Sequence, residues 1–396
     1  VNRPQRIVAL GAALAVGCAA ASRSALAQAR RLDDGLARRP PLGWNSWNKF
    51  GCHVSEQLIR EVADAIVASG MRDAGYQYVV IDDCWQVYRD TSGTIVADPQ
   101  LFPHGIKALA DYVHARGLKF GIYTDAGTAT CQGRPGTLHH ETEDARTYAA
   151  WGVDYVKEDW CNSRGLDAPT QYRQFHEALV ATGRPVVLSI CEWGSNHPWE
   201  WGPGIGHLWR TTGDIEDRWQ SVLDILDSSS RWQSVAGPGG WNDPDMLEVG
   251  NGGMTDDEYR AHFSLWAVMA APLMAGNDVR SMSAATRDIL TNREVIAVDQ
   301  DSLGGQGWLA EQPAPGLQVW VRPLADGSRA VILLNRTGAE AELRADWRAI
   351  GLEVGRAQVR DLWAHADRGP VRDAFVARVA PHAVVMVKVT PTPRGR

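Results

Sequence analysis

Long apolar runs are missing from this 396-residue chain. No segment reaches the ~18 unbroken apolar residues that a membrane-spanning helix needs, which excludes a polytopic membrane protein. A basic excess is missing too: 40 Lys and Arg stand against 47 Asp and Glu, a formal charge of −7. Nucleic-acid partners leave a basic footprint, so none is expected. None of the six cysteines shows the CxxC spacing of structural zinc. Internal repeats and low-complexity tracts are absent as well. Phe (6) and Tyr (9) are scarce, together fewer than the 17 Trp. Indole faces stack on the C–H faces of sugar rings, so this excess directs attention to carbohydrate, beside the plainer role of filling a core. What remains is ordinary: 44% hydrophobic and 22% charged residues mark a globular chain, neither disordered nor collagen-like. Its length suits two domains, or one large domain with an appendage.

Arg3 and Arg6 precede an Ala-rich apolar run from Ile7 to Ala21, and Ala25-Leu26-Ala27 ends at Gln28. This is the order of a secretory signal with a small-x-small cleavage site, so residues 1–27 are read as a signal peptide and the protein as secreted or periplasmic. Lipid attachment at Cys18 is the lesser alternative, because the residue three before it is Ala rather than Leu. Cleavage would remove three basic residues and no acidic one, leaving the chain more acidic still. Export permits disulfides. Five cysteines then remain, so at least one thiol stays unpaired within the chain.

From Pro40 onward, strand-like and helix-like runs alternate. Ser55 to Ser69 places Ile59, Val62, Ala63, Ile66 and Val67 on one helical face, with Gly70 as a stop. Tyr78 to Ile81 is a continuous apolar run suited to a strand buried on both faces. Ile106–Arg116 then Lys119–Tyr123, Glu141–Ala150 then Val153–Lys157, and Tyr172–Ala181 then Val186–Ile190 repeat the pattern. Further strands are expected at Leu42–Trp44, His207–Arg210, Gly240-Trp241 and Pro272–Met274. About eight βα units result, which predicts a (β/α)8 TIM barrel over residues 28–306. A doubly wound sheet is the alternative, but no Gly-rich phosphate fingerprint follows the first strand. Beyond residue 306 the runs Leu317–Arg322, Arg329–Leu334 and Val384–Val389 are β-rich, and Asp326-Gly327 supplies a hairpin turn. Residues 307–396 are read as a C-terminal antiparallel β-sandwich domain.

Working residues of such barrels gather at the C-terminal ends of the strands. Those ends carry Trp44 and Trp47, Asp82 and Asp83, Tyr123 and Asp125, Lys157 and Asp159, Glu192, Arg210 and Asp214, and Asp243 and Asp245. Carboxylates dominate and no His is among them. Such a set is poor for a Ser-His-Asp triad and good for glycoside hydrolysis by two carboxylates. Asp82-Asp83 and His139-His140-Glu141 are possible metal ligands, but the second group sits at a helix start and no metal or other cofactor is expected. Asn335-Arg336-Thr337 is a glycosylation sequon of a kind frequent by chance.

The segments Leu42–Trp47, Ile81–Trp85, Gly121–Tyr123, Tyr155–Lys157, Cys191–Trp193, Trp209–Ile215 and Gly240–Met246 resemble, in order, those of the α-galactosidases of glycoside hydrolase family 27 (clan D). Arg360–Trp363 is similar to the family's C-terminal β domain. The resemblance implies a retaining α-galactosidase that acts on terminal α-linked galactose in oligo- or polysaccharides and other galactosides. Asp159 would be the nucleophile and Asp214 the general acid/base. Trp47, Asp82, Asp83, Tyr123, Lys157, Glu192, Arg210 and Asp245 would line the sugar pocket. Cys52–Cys84 and Cys131–Cys161 would be disulfides, with Cys191 left over. Glu192 would face the 2-position of the sugar and exclude an N-acetyl group, and Asp82 would suit a sugar bearing a 6-hydroxymethyl group. One departure from the family is Glu158, where an aromatic is usual; on a strand it faces away from Lys157 and Asp159. Lys157 is expected to keep Asp159 ionised, and crowding by carboxylates to keep Asp214 protonated. The rivals are an α-N-acetylgalactosaminidase or β-L-arabinopyranosidase of the same family, a metal-dependent barrel hydrolase, and a non-catalytic carbohydrate-binding protein, which would be expected to lack one of Asp159 and Asp214.

Overall fold

A computed structural model describes residues 31–392; the expected signal peptide, Cys18 included, lies outside the described residues. Eight short strands follow one another: β1 (Leu42–Asn45), β2 (Tyr78–Val80), β3 (Lys119–Asp125), β4 (Tyr155–Asp159), β5 (Val187–Cys191), β6 (Leu208–Arg210), β7 (Trp241–Asp243) and β8 (Leu273–Ala275). They pair in parallel in the order β8-β1-β2-β3-β4-β5-β6-β7. The ring closes through Leu247, whose N–H donates to the Met274 carbonyl and whose carbonyl accepts from Gly276. Almost every strand residue is buried, which is why these strands read as unbroken apolar runs rather than as alternation.

Parallel strands need crossovers, and helices supply them. They are α1 (Glu56–Ala68), α2 (Gly105–His114), α3 (Glu141–Trp151), α4 (Ala168–Ala181), α5 (Trp219–Ser229) and α6 (Asp256–Met269); α7 (Ala284–Leu290) and α8 (Arg293–Asp299) follow β8. The Ser55 hydroxyl caps α1 by accepting from the Leu58 N–H, and the helix buries Leu58, Ile59, Val62, Ala63 and Ile66 as its periodicity predicts. Thr255 and Glu258 form a reciprocal capping box on α6. The β5–β6 crossover departs from the pattern: it holds only one turn of helix, Pro198–Trp201. A hairpin of Gln86–Arg89 and Ile95–Ala97 follows β2.

The C-terminal part is antiparallel. Its strands are β9 (Trp308–Ala314), β10 (Leu317–Pro323), β11 (Arg329–Asn335), β12 (Ala341–Asp346), β13 (Arg356–Asp361), β14 (Ala366–Arg372), β15 (Ala374–Val379) and β16 (Ala383–Pro391). Six form a sheet in the order β9-β10-β11-β16-β13-β14, and β12 pairs with β15. Alternation with period 2 sends side chains to two cores. Trp320, Ile332, Leu334 and Met386 join the barrel's own core with Phe263 and Trp266. Val319, Val321, Val331 and Leu333 face a second core with Leu343 and Phe375 of β12 and β15. The buried Arg322 guanidinium donates to the Ala267 carbonyl at 2.7 Å, and the Trp363 indole to Ser264 Oγ at 2.9 Å. The Asn335 amide is buried and donates to the Ala339 and Val379 carbonyls, so the folded sequon has no amide free to carry a glycan.

The floor of the barrel is closed by the stretch before β1. Arg31 donates to the Val235 and Ala236 carbonyls, Asp34 pairs with His207 at 3.0 Å, and the Trp241 indole donates to the Ala37 carbonyl. Leu36 and Ala37 pack beneath Tyr155, Leu208, Trp241 and Met274.

Candidate active site

At the opposite end, Trp47, Asp82, Asp83, Tyr123, Lys157, Asp159, Arg210, Asp214 and Asp245 face one cavity of about 900 Å³. Lys157 and Asp159 share it because alternate residues of β4 point the same way. Glu158, between them, is buried off the cavity, where desolvation first and then Asp125 push its carboxyl well above the usual range.

The groups interlock. Asp159 Oδ2 accepts from the Tyr123 hydroxyl at 2.9 Å and Oδ1 from the Trp160 N–H at 3.0 Å. Asp82 Oδ2 accepts from Lys157 Nζ at 2.9 Å and from Asn45 Nδ2 at 2.7 Å. Asp83 accepts from the Cys84 and Gln132 N–H groups. Arg210 reaches Asp245 at 3.0 Å and Asp214 at 2.9 Å. Asp245 also accepts from the Ile215 N–H at 2.8 Å, which ties the Asp214 loop to the end of β7.

The electrostatics set the two carboxylates apart. Burial pushes the Asp159 carboxyl up to about 6, because desolvation outweighs the pull of Lys157, whose ammonium is bonded to Asp82. Asp214 is lowered instead of raised. Burial works upward on it, but Arg210 and Lys157 prevail, and no carboxylate crowds it. Its side chain is 67% exposed.

Glu192 does not line the cavity. β5 ends at Cys191, and Glu192 turns inward, where it is fully buried and accepts from the backbone and side-chain amides of Asn196. Trp193, at φ +57°, stands in the cavity wall instead. Two strand-end carboxylates are braces. Asp125 accepts from the Gly127 and Cys161 N–H groups and Asp243 from the Asp245 N–H. Burial raises them to about 8 and about 6. Trp44 is core, its indole donating to the Asn277 carbonyl.

Both disulfides are present, Cys52–Cys84 and Cys131–Cys161, and Cys191 is a buried free thiol. Cys131 and Cys161 border the cavity. Asp125 and Asp159 converge on them, but the two sulfurs are joined to each other and are not thiolate ligands. His139 and His140 precede α3, as their position in the sequence predicts. The cavity also holds residues that sequence reasoning missed: Asn48, Trp193, Glu216, Asp217, Glu248 and Asn251. Asn48 lies in the single helical turn Trp47–Phe50 and the others in loops beyond the strand ends, where no periodicity marks them.

Residues 39–301 match the family described as alpha galactosidase A. The chain belongs to the alpha-galactosidase family. Residues 314–389 match the alpha galactosidase C-terminal beta sandwich domain. An alpha-galactosidase of Oryza sativa subsp. japonica is 51% identical over 97% of this chain and 92% of its own. Alpha-galactosidase I from Mortierella vinacea, a solved structure, superimposes with a TM-score of 0.88 at 40% identity, covering 91% of this chain and all of its own. An alpha-N-acetylgalactosaminidase of Gallus gallus is also similar, 41% identical over 91% of this chain and 95% of its own.

Proposed function

We propose that the protein hydrolyses terminal α-linked galactose with retention of configuration, through a covalent galactosyl-enzyme on Asp159. The observation that carries this is the dissimilar setting of two carboxylates in one cavity: Asp159 is buried and held by Tyr123 and a backbone N–H, whereas Asp214 stands open on Arg210. Family membership supports it.

In the first step the Asp159 carboxylate attacks C1 while the bond to the leaving oxygen breaks, and Asp214 gives that oxygen its proton. In the second, Asp214 takes a proton from water, the water oxygen bonds to C1, and Asp159 leaves. Tyr123 and the Trp160 N–H stabilise Asp159 as a departing carboxylate. Asp214 is ionised in the empty site, so its acid role needs the leaving group to cover its open face and shed its water, which raises its pKa. Asp82, Asp83 and Asp245 would accept sugar hydroxyls, with Trp47 against the ring. The presence of both Asp159 and Asp214 supports an enzyme over a binding protein.

Glu192, whose Oε1 has no hydrogen-bond partner, stands beside Trp193 of the cavity wall, and its place there supports exclusion of an N-acetyl group at the sugar's 2-position. Asp82 favours galactose over β-L-arabinopyranose. Assay of the purified protein on the 4-nitrophenyl glycosides of α-galactose, α-N-acetylgalactosamine and β-L-arabinopyranose tests this, with the highest kcat/KM expected for α-galactoside. NMR should detect α-galactose as the first anomer; β-galactose first would mean inversion and refute the mechanism. Export, from the reading of residues 1–27, is part of the proposal, and two disulfides suit an oxidising compartment.

A further inference from the structure

The cavity extends beyond the groups around Asp159. Its volume of about 900 Å³ lies toward the upper end for small-molecule sites. The groups bonded around Asp159 stand on the ends of β2, β3 and β4. The lining also includes Asn48, beyond β1, with Glu248 and Asn251, beyond β7. Only β8 separates those two strands in the ring.

Glu248 is an unusual wall residue. It is 3% exposed, and its carboxylate accepts from Asn48 Nδ2 and, at 2.5 Å, from Asn251 Nδ2. Neither partner is a cation. A carboxylate can accept about four hydrogen bonds, so these two leave capacity unused. Asn251 Oδ1 has no partner at all. The loop is shaped to keep them there. Gly250 has φ +90°, and a Cβ on it would lie 2.5 Å from Thr286. Gly253 N–H donates to Asp217, which also accepts from the Tyr259 hydroxyl. The loop is thereby tied to the segment that runs on from Asp214.

We propose that Glu248, held in place by Asn251, seats the leaving unit of the substrate: a second, hydroxyl-bearing pyranose ring whose hydroxyls donate to the unused capacity of the Glu248 carboxylate. This rests on the α-galactosidase reading above and specifies what lies beyond the cleaved bond. An aryl leaving group has no hydroxyl to offer and gains nothing from the wall. The simpler role for Glu248 is a brace between two loops. Losing a brace loosens the whole pocket and harms every substrate, whereas losing a sugar seat harms only substrates with a second sugar.

The experiment compares wild type, Glu248→Gln and Asn251→Ala on an α-galactosyl-(1→6)-glucose disaccharide and on 4-nitrophenyl α-galactoside, with melting temperatures. Each variant should lose at least about tenfold in kcat/KM on the disaccharide, stay within about threefold on the aryl substrate, and melt like wild type. Equal losses on both substrates would mark a brace and overturn the proposal, as would no loss on either. A wild type inactive on both substrates would refute the α-galactosidase reading, and this inference with it.

Discussion

Asp159, held up at about 6 by burial, and Asp214, held low, share one proton between those two values. The productive form, with Asp159 charged and Asp214 protonated, is a fixed fraction of that shared pool. kcat/KM should therefore be level in mild acid, fall as pH rises through about 6, and fall again in strong acid. Initial rates at low substrate check this; a plateau persisting to about pH 8 would show that the shared proton is not what limits activity. Roles separate by mutation. Asp159→Ala should cost on the order of 10⁴-fold on every substrate. Asp214→Ala should cost roughly 10²–10⁴-fold on ordinary galactosides but little on dinitrophenyl galactosides, whose leaving group needs no proton. Parallel losses on both classes would refute the division of labour. Of the thirteen residues named at strand ends nine face one cavity, and they are nine of the ten that the family resemblance implies. Glu192 lies behind the lining because a strand's alternation ends with the strand, and the turn after Cys191 brings Trp193 to the wall instead. Asp214 is held low because Arg210, four residues before it, folds back onto it, a contact that a list of strand-end carboxylates does not show.

Elements were legible where burial is one-sided or complete over a short run. α1 and α2 present one apolar stripe each, and glycines punctuate them. α6 carried no such signal, since it lies between the barrel and the C-terminal sheet and buries Tyr259, His262, Phe263, Leu265, Trp266 and Met269 around most of its surface. The hairpin after β2 was missed because only its ends are buried. The β3–β4 junction shows how loops fix the site. At Gly127 a Cβ would lie 2.1 Å from the Cys161 carbonyl oxygen, in the turn that Asp125 braces. Gly127→Ala should destabilise the fold by about 1–3 kcal/mol in urea denaturation, with lower kcat/KM because Asp159 lies in the adjoining strand. In protein lacking residues 1–27, one thiol, that of Cys191, should react with a thiol reagent, and only after unfolding. Two or more reactive thiols would contradict the disulfide pairing.

For the molecule as a whole, the β-sandwich is part of the barrel's stability rather than a passenger. Trp320, Ile332 and Met386 share the barrel's core, and Arg322 satisfies a carbonyl at the end of α6. Calorimetry should accordingly show one cooperative transition; two resolved peaks would mean independent units. The closed floor has a quieter consequence. Among the described residues, starting the chain at Pro40 would remove no strand, no helix and no residue of the cavity. It would, however, strip the Trp241 indole and the Nε2 of His207 of their partners and uncover a well of apolar side chains around Tyr155, Leu208 and Met274. An enzyme trimmed there would keep a faultless mouth and clump by its underside.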